Sequence, residues 1–153
     1  MLKLNLPDFD YRIENRNGKL FIFDAIRKKF VHLSPEEWVR QHFLHLMIKH
    51  LGYPRSLMRI ESGLKYNDLQ KRSDILGYDQ KLMPLVLVEC KAPHIPLGDK
   101  VVEQIAAYNK VCQAPLIALT NGMKTYAVLK TKGSGEFQMM REIPSHKELL
   151  NMV

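Results

Sequence analysis

Three side chains in this 153-residue sequence have the types and spacing for work on a phosphate: Asp74, Glu89 and Lys91. Glu89 and Lys91 close the most continuously apolar run of the chain, residues 84–91. Side chains alternate along a strand, so Glu89 and Lys91 share a face and Cys90 points the other way. Asp74 opens the preceding strand-like segment, and the start of one antiparallel strand lies beside the end of the next. Asp74 is therefore expected close to Glu89 and Lys91. Two neighbouring carboxylates repel, and a cation relieves the repulsion. Hard oxygen ligands favour Mg²⁺ or Mn²⁺, with positions left open for water and a phosphate oxygen. Such an ion lowers the pKa of its water and stabilises charge in the transition state. Lys91 would orient the attacking water or neutralise the phosphate. The plainer alternative is a surface ion pair between Glu89 and Lys91, worth about 0–1 kcal/mol. A core strand that ends in two charged residues is better explained by a site.

The elements that must position these residues are legible in outline. Residues 11–14 and 19–23 are short β-like runs around Asn17-Gly18, two residues that tolerate positive φ and so signal a hairpin. Ser34-Pro35-Glu36-Glu37 starts a helix: serine caps, proline suits the first turn, and Glu37 completes a capping box. That helix should run to about Leu51, ended by Gly52 and Pro54. Val39, Phe43, Leu46, Met47 and Leu51 line one side of it. Glu37 and Arg40 fall in or beside this apolar arc and need polar partners there. His42 and His45 fall on the outer side, without ligand spacing. Strands are expected over 57–66, 74–78 and 85–91, the last covered on both faces. A second helix over 99–112, strands over 115–120 and 124–130, and a short terminal helix over 145–151 complete the pattern. The fold class is α/β, a mixed sheet with one helix on each side and an N-terminal β-hairpin. The chain reads as one domain, 1–153: hairpin 11–24, core 34–130 and a weakly patterned tail, 131–153.

Composition excludes several classes. Hydrophobic residues make up 46% and charged residues 25%, too apolar a balance for disorder and ordinary for a folded protein. No stretch approaches the roughly 20 apolar residues of a membrane span, and the N-terminus has no signal-peptide core. Two cysteines, Cys90 and Cys112, make no disulfide framework, so a cytoplasmic setting is expected. The net charge of +7 permits a polyanionic partner such as nucleic acid without establishing one. No P-loop occurs, so no nucleotide cofactor or ATP-driven motor is expected within these residues. No helix-turn-helix or zinc finger marks a base-reading element.

Asp74, then fourteen residues, then Glu89-Cys90-Lys91 resembles the signature of the PD-(D/E)xK nucleases. Ser73 stands where the name of that signature has proline. Around it lie Arg72-Ser73-Asp74-Ile75-Leu76, Val88-Glu89-Cys90-Lys91-Ala92-Pro93, Gln104 with Tyr108, and Thr120-Asn121-Gly122. Upstream come Phe23-Asp24-Ala25-Ile26-Arg27-Lys28-Lys29 and Pro35-Glu36-Glu37-Trp38-Val39-Arg40-Gln41. This ordered series, over residues 7–130, resembles the N-terminal nuclease domain of type I restriction enzyme R subunits. The resemblance implies a restriction-endonuclease-like core that hydrolyses DNA phosphodiesters with Mg²⁺ or Mn²⁺. Asp74 and Glu89 would be metal ligands and Lys91 the catalytic lysine. Glu37 would support the metal from the first helix, often through water. Gln104 and Tyr108 match a Gln-x-x-x-Tyr motif that contacts the site or the DNA backbone. The implied partners are DNA and either a second copy of the chain or other restriction-system subunits. A non-catalytic nucleic-acid-binding or assembly module that keeps the fold is the competing expectation.

Overall fold

The computed structural model describes residues 1–60, 64–66, 69–71, 75–131, 133 and 136–153. Of 64–66, 69–71, Val101, Gln104, Ile105, Tyr108, Val111 and Cys112 it describes the backbone alone. Asn17 and Gly18, at φ of 53° and 85°, turn the chain between β1 (Ile13–Arg16) and β2 (Lys19–Asp24). Arg16 pairs with Lys19, the register of a two-residue hairpin loop. The hairpin grows into a three-stranded sheet, because β3 (Lys29–His32) pairs antiparallel with β2. Lys28 makes that second turn at φ 54°, without the glycine or asparagine that normally announces one.

Ser34 caps α1 (Pro35–His45), its hydroxyl accepting from the Glu37 backbone N–H. The Glu37 carboxylate turns to other donors, so only this half of the expected capping box supports the helix end. The helix continues as a π turn over Leu46–His50, and Gly52 at φ 73° ends it. There the Tyr53 N–H donates to the Met47 carbonyl.

The segment 57–66 is not the single strand expected. Arg55–Leu57 is a 3₁₀ turn, and β4 (Met58–Arg59) pairs with β7 (Ile75–Tyr78). Between them, β5 (Leu64–Tyr66) pairs with β6 (Leu69–Lys71) in a separate two-stranded sheet. Then follow β8 (Pro84–Cys90), α2 (Asp99–Cys112), β9 (Leu116–Thr120), β10 (Thr125–Lys130), β11 (Phe137–Met140) and α3 (His146–Met152). The main sheet has the order β11-β10-β9-β8-β7-β4, and only its β8–β9 pair is parallel. Among the described residues of the tail, β11 is an edge strand that the sequence pattern does not mark, whereas α3 is the expected terminal helix, capped reciprocally by Ser145 and Glu148. Leu149 is buried, and the Tyr53 hydroxyl donates to the Pro144 carbonyl at 2.8 Å.

The larger core lies between α1 and the sheet. Val39, Phe43, Leu44 and Met47 join Ile75, Val86, Val88, Cys90, Leu116 and Ala118 in it. Leu76, Leu87 and Ala114 form a smaller cluster with Tyr78 and Ile117. Ile75 pairs with Val88 and Leu76 with Leu87, so alternation assigns the two clusters to opposite faces. Phe43 is wholly buried in the larger core. Phe43→Ala should lower the unfolding free energy by about 3–5 kcal/mol through lost burial and the cavity left behind. Urea titration measures this, and a loss below about 1 kcal/mol would contradict the packing described.

Candidate functional site

β8 is flanked by β7 on one edge and β9 on the other, so its backbone groups are used up in pairing. Its apolar side chains Val86, Val88 and Cys90 enter the α1-side core, and all three are fully buried. Alternation then commits Glu89 and Lys91 to the other face, beyond Leu87. There the Lys91 ammonium lies 3.2 Å from the Glu89 carboxylate, with side chains 25% and 18% exposed. The Lys91 N–H donates to the Thr120 carbonyl, so the backbone of Lys91 is tied to the end of β9. Beside it, Thr120-Asn121-Gly122 forms a tight turn with Gly122 at φ 84°. The Asn121 side chain accepts from the N–H groups of Met123 and Lys124 and donates to the Ile95 carbonyl. Asn121 therefore locks this turn to the loop that follows Lys91.

The structure thus brings together Glu89 and Lys91, as their spacing requires. Asp74 lies outside the described residues. Gln104 and Tyr108 lie within α2, four positions apart, and their side chains are also outside the described part. Among the described residues, no three His, Cys, Asp or Glu side chains gather closely enough to hold a metal ion. Glu89 supplies one hard carboxylate donor, partly exposed, which suits Mg²⁺ or Mn²⁺ chemically.

Glu37 sits in a second, more buried polar cluster. One of its carboxylate oxygens accepts from Arg27 Nη2 at 2.9 Å and also from Arg40 Nη1. The other accepts from Gln41 Nε2 at 3.0 Å. Gln41 Nε2 also reaches Asp24 at 3.0 Å, and Arg27 Nε pairs with the same Asp24 oxygen at 2.7 Å. The sequence placed Glu37 and Arg40 in an apolar arc and required polar partners. Arg40 does pair with Glu37, but the central roles of Asp24 and Arg27 were missed. The available signal was a local one. Asp24 accepts from the N–H groups of Ile26 and Arg27, the Asx-turn pattern of an aspartate heading a turn. His42 is buried rather than on an open outer side, because Phe9 and Trp38 pack edge-on against it.

Residues 35–144, most of the chain, match the model of a family described as type I restriction enzyme R protein N terminus (HSDR_N). The chain belongs to that family. A solved fragment structure, described as an HsdR subunit of a type I restriction enzyme from Vibrio vulnificus YJ016, has a TM-score of 0.54 at 19% sequence identity. It covers 78% of this chain and 25% of that one. The chain therefore spans about a quarter of that structure's length, and the likeness is one of fold. No curated protein matches the chain. The α/β architecture expected from sequence, a mixed sheet with helices and an N-terminal hairpin, is the one found. The family match takes in α1, β8 and α2 of this R-protein N-terminal domain, and it begins after the three-stranded sheet. No described helix is long and apolar enough to cross a membrane.

Burial raises the pKa of Asp24, but hydrogen bonds from the Arg27 backbone and guanidinium and from Gln41 outweigh it. The carboxyl is held below the usual carboxylate range. A depressed folded-state pKa adds stability that is present above the unfolded value and lost as pH falls toward the folded one. The unfolding free energy should therefore decline from about pH 5 downward, and Asp24→Asn should make this decline shallower. Urea midpoints across that range measure it; parallel declines in the two proteins would contradict the assignment.

Proposed function

We propose that this domain is a divalent-metal-dependent deoxyribonuclease module of a restriction system. The observation that carries the reading is the Glu89–Lys91 pair. It sits on one face at the end of a strand paired on both edges, within a chain of the R-protein N-terminal family. Ile75, which follows Asp74 in the chain, pairs with Val88, which precedes Glu89. That register supports Asp74 as the second carboxylate of the site. Asp74 and Glu89 would hold Mg²⁺ or Mn²⁺. When bound, the ion would supply a water of lowered pKa and neutralise charge on the phosphodiester.

Lys91 contributes three N–H donors that neutralise a phosphate oxygen or orient the attacking water. Glu37 would support the metal only from a distance, because α1 packs on the face of β8 that carries Val86, Val88 and Cys90. Both its oxygens already accept from cationic or amide donors, which favours support through a neighbour or a water over direct ligation. Gln104 and Tyr108, four positions apart in the sequence of α2, would contact the site or the DNA backbone. Cutting both strands with one site per chain calls for a second copy or another restriction-system subunit, acting on DNA in the cytoplasm.

Supercoiled plasmid with Mg²⁺ or Mn²⁺ should be nicked or linearised by the native protein. Asp74→Ala, Glu89→Ala and Lys91→Ala should each lower the rate by about 10²-fold or more. Cleavage that survives all three substitutions would overturn the assignment. Salt-sensitive DNA binding without cleavage, indifferent to metal, would instead indicate the non-catalytic module.

A further inference from the structure

The three-stranded sheet carries its aromatic residues on the side away from the core. Ile13, Ile22 and Val31 face inward and join the large hydrophobic cluster. Strand alternation sends Phe21, Phe23 and Phe30 to the opposite face. The pairing puts them next to one another: Phe23 is directly across from Phe30, and Phe21 is across from His32. The Phe23 and Phe30 rings meet edge to face at 5.4 Å, and Phe21 meets His32 at 5.9 Å. An antiparallel sheet with one solvated face ordinarily presents polar side chains there. This one carries three half-buried phenylalanines overlaid by cations. The Arg12 guanidinium lies 5.0 Å from the Phe23 ring centroid and 5.5 Å from that of Phe30. Arg16 lies 5.0 Å from Phe21 and 5.1 Å from Phe30. Lys19 is across from Arg16 and exposed. The face holds one acid, Glu14, which accepts from Arg16 Nε and Nη2.

We propose that this outer face, built on Phe21, Phe23 and Phe30 with Arg12, Arg16 and Lys19, binds single-stranded nucleic acid by base stacking. Aromatic faces accept any base, and guanidinium groups beside them reach the phosphates, the combination used by sequence-tolerant single-strand binders. The arginines are already positioned over the rings, so they can slide to the phosphates or sandwich a base without leaving the surface. Three cations against one already paired acid, on a chain of net charge +7, favour a polyanion over a neutral or basic peptide. The surface lies outside residues 35–144, so it is an attribute of this chain beyond the segment that matches its family. It stands independently of the cleavage reading, since none of its residues belongs to the Glu89–Lys91 site.

The test is fluorescence anisotropy on the full chain in EDTA, which keeps any metal-dependent cleavage silent. The probes are labelled oligo-dT of about 12 nucleotides, within the range of about 4–16 typical for stacking surfaces, and an abasic strand of equal length. The native protein should bind oligo-dT about 10-fold or more tighter than the abasic strand, which keeps the phosphates and lacks the bases. Phe21→Leu with Phe30→Leu should remove that preference while leaving the weak abasic binding in place. Arg12→Gln should weaken both and reduce the magnitude of the salt-dependence slope by about 0.7. Equal affinity of the native protein for the two strands would overturn the proposal, as would unchanged oligo-dT affinity in the double phenylalanine variant. The first comparison needs no variant, so the outcome does not depend on a substituted sheet folding.

Discussion

Everything at the candidate site depends on the alternation of side chains along one fully paired strand. β8 has neighbours on both edges, so it cannot shift without breaking two ladders. Cys90 pairs with Thr120, and the next N–H, from Lys91, donates to the same Thr120 carbonyl region of β9. With Val86, Val88 and Cys90 in the core, the intervening Glu89 and the following Lys91 have one face available to them. A slip of one residue would move both charges into the apolar layer and the apolar set to the outside. The cost of burying an uncompensated charge makes that alternative inaccessible. The hydrophobic core thus does the positioning, and the acid and the amine are held together at 3.2 Å as a consequence.

A second polar cluster binds the N-terminal sheet to the body of the protein. Asp24 ends β2, Arg27 lies in the turn after it, and Glu37, Arg40 and Gln41 come from the first turns of α1. Their hydrogen bonds join the end of β2 and its following turn to α1 across β3. Asp24 and Gln41 are both fully buried, so these bonds operate in a medium where a lost partner is costly. The cluster fixes the direction in which α1 leaves the sheet, and α1 in turn covers the face of β8 opposite Glu89 and Lys91. The irregular segment before β1 adds a further tie. Leu4 packs so closely over Gly122 that a Cβ there would lie 2.9 Å from a Leu4 methyl. Asn5 donates its N–H to the Gly122 carbonyl, beside the turn that follows β9.

Much of this was legible in the sequence wherever one strong local signal controlled the outcome. The apolar run of β8, the capped and glycine-terminated α1, and the two Asn-Gly turns are cases where periodicity or turn chemistry agrees with the fold. The misses have physical reasons. β3 follows a turn made by Lys28 at positive φ, which no glycine advertises. β11 is an edge strand with Phe137 and Met139 largely exposed, so it lacks the buried alternation that marks a strand. The break between β4 and β5 depends on pairing with β7 and β6, partners that local sequence does not specify. At the site, residue spacing alone established that Glu89 and Lys91 share a face. The Asp24–Arg27–Glu37–Gln41 cluster needed tertiary contacts that spacing cannot supply.

The most direct measurement of the central claim is Mn²⁺ binding followed by electron paramagnetic resonance on the native chain and on Glu89→Ala and Asp74→Ala. If the end of β8 is a metal site, the native protein takes up Mn²⁺ and both variants lose that uptake while their circular dichroism stays native. Undiminished Mn²⁺ uptake in the two variants, or none in the native protein, would contradict the account.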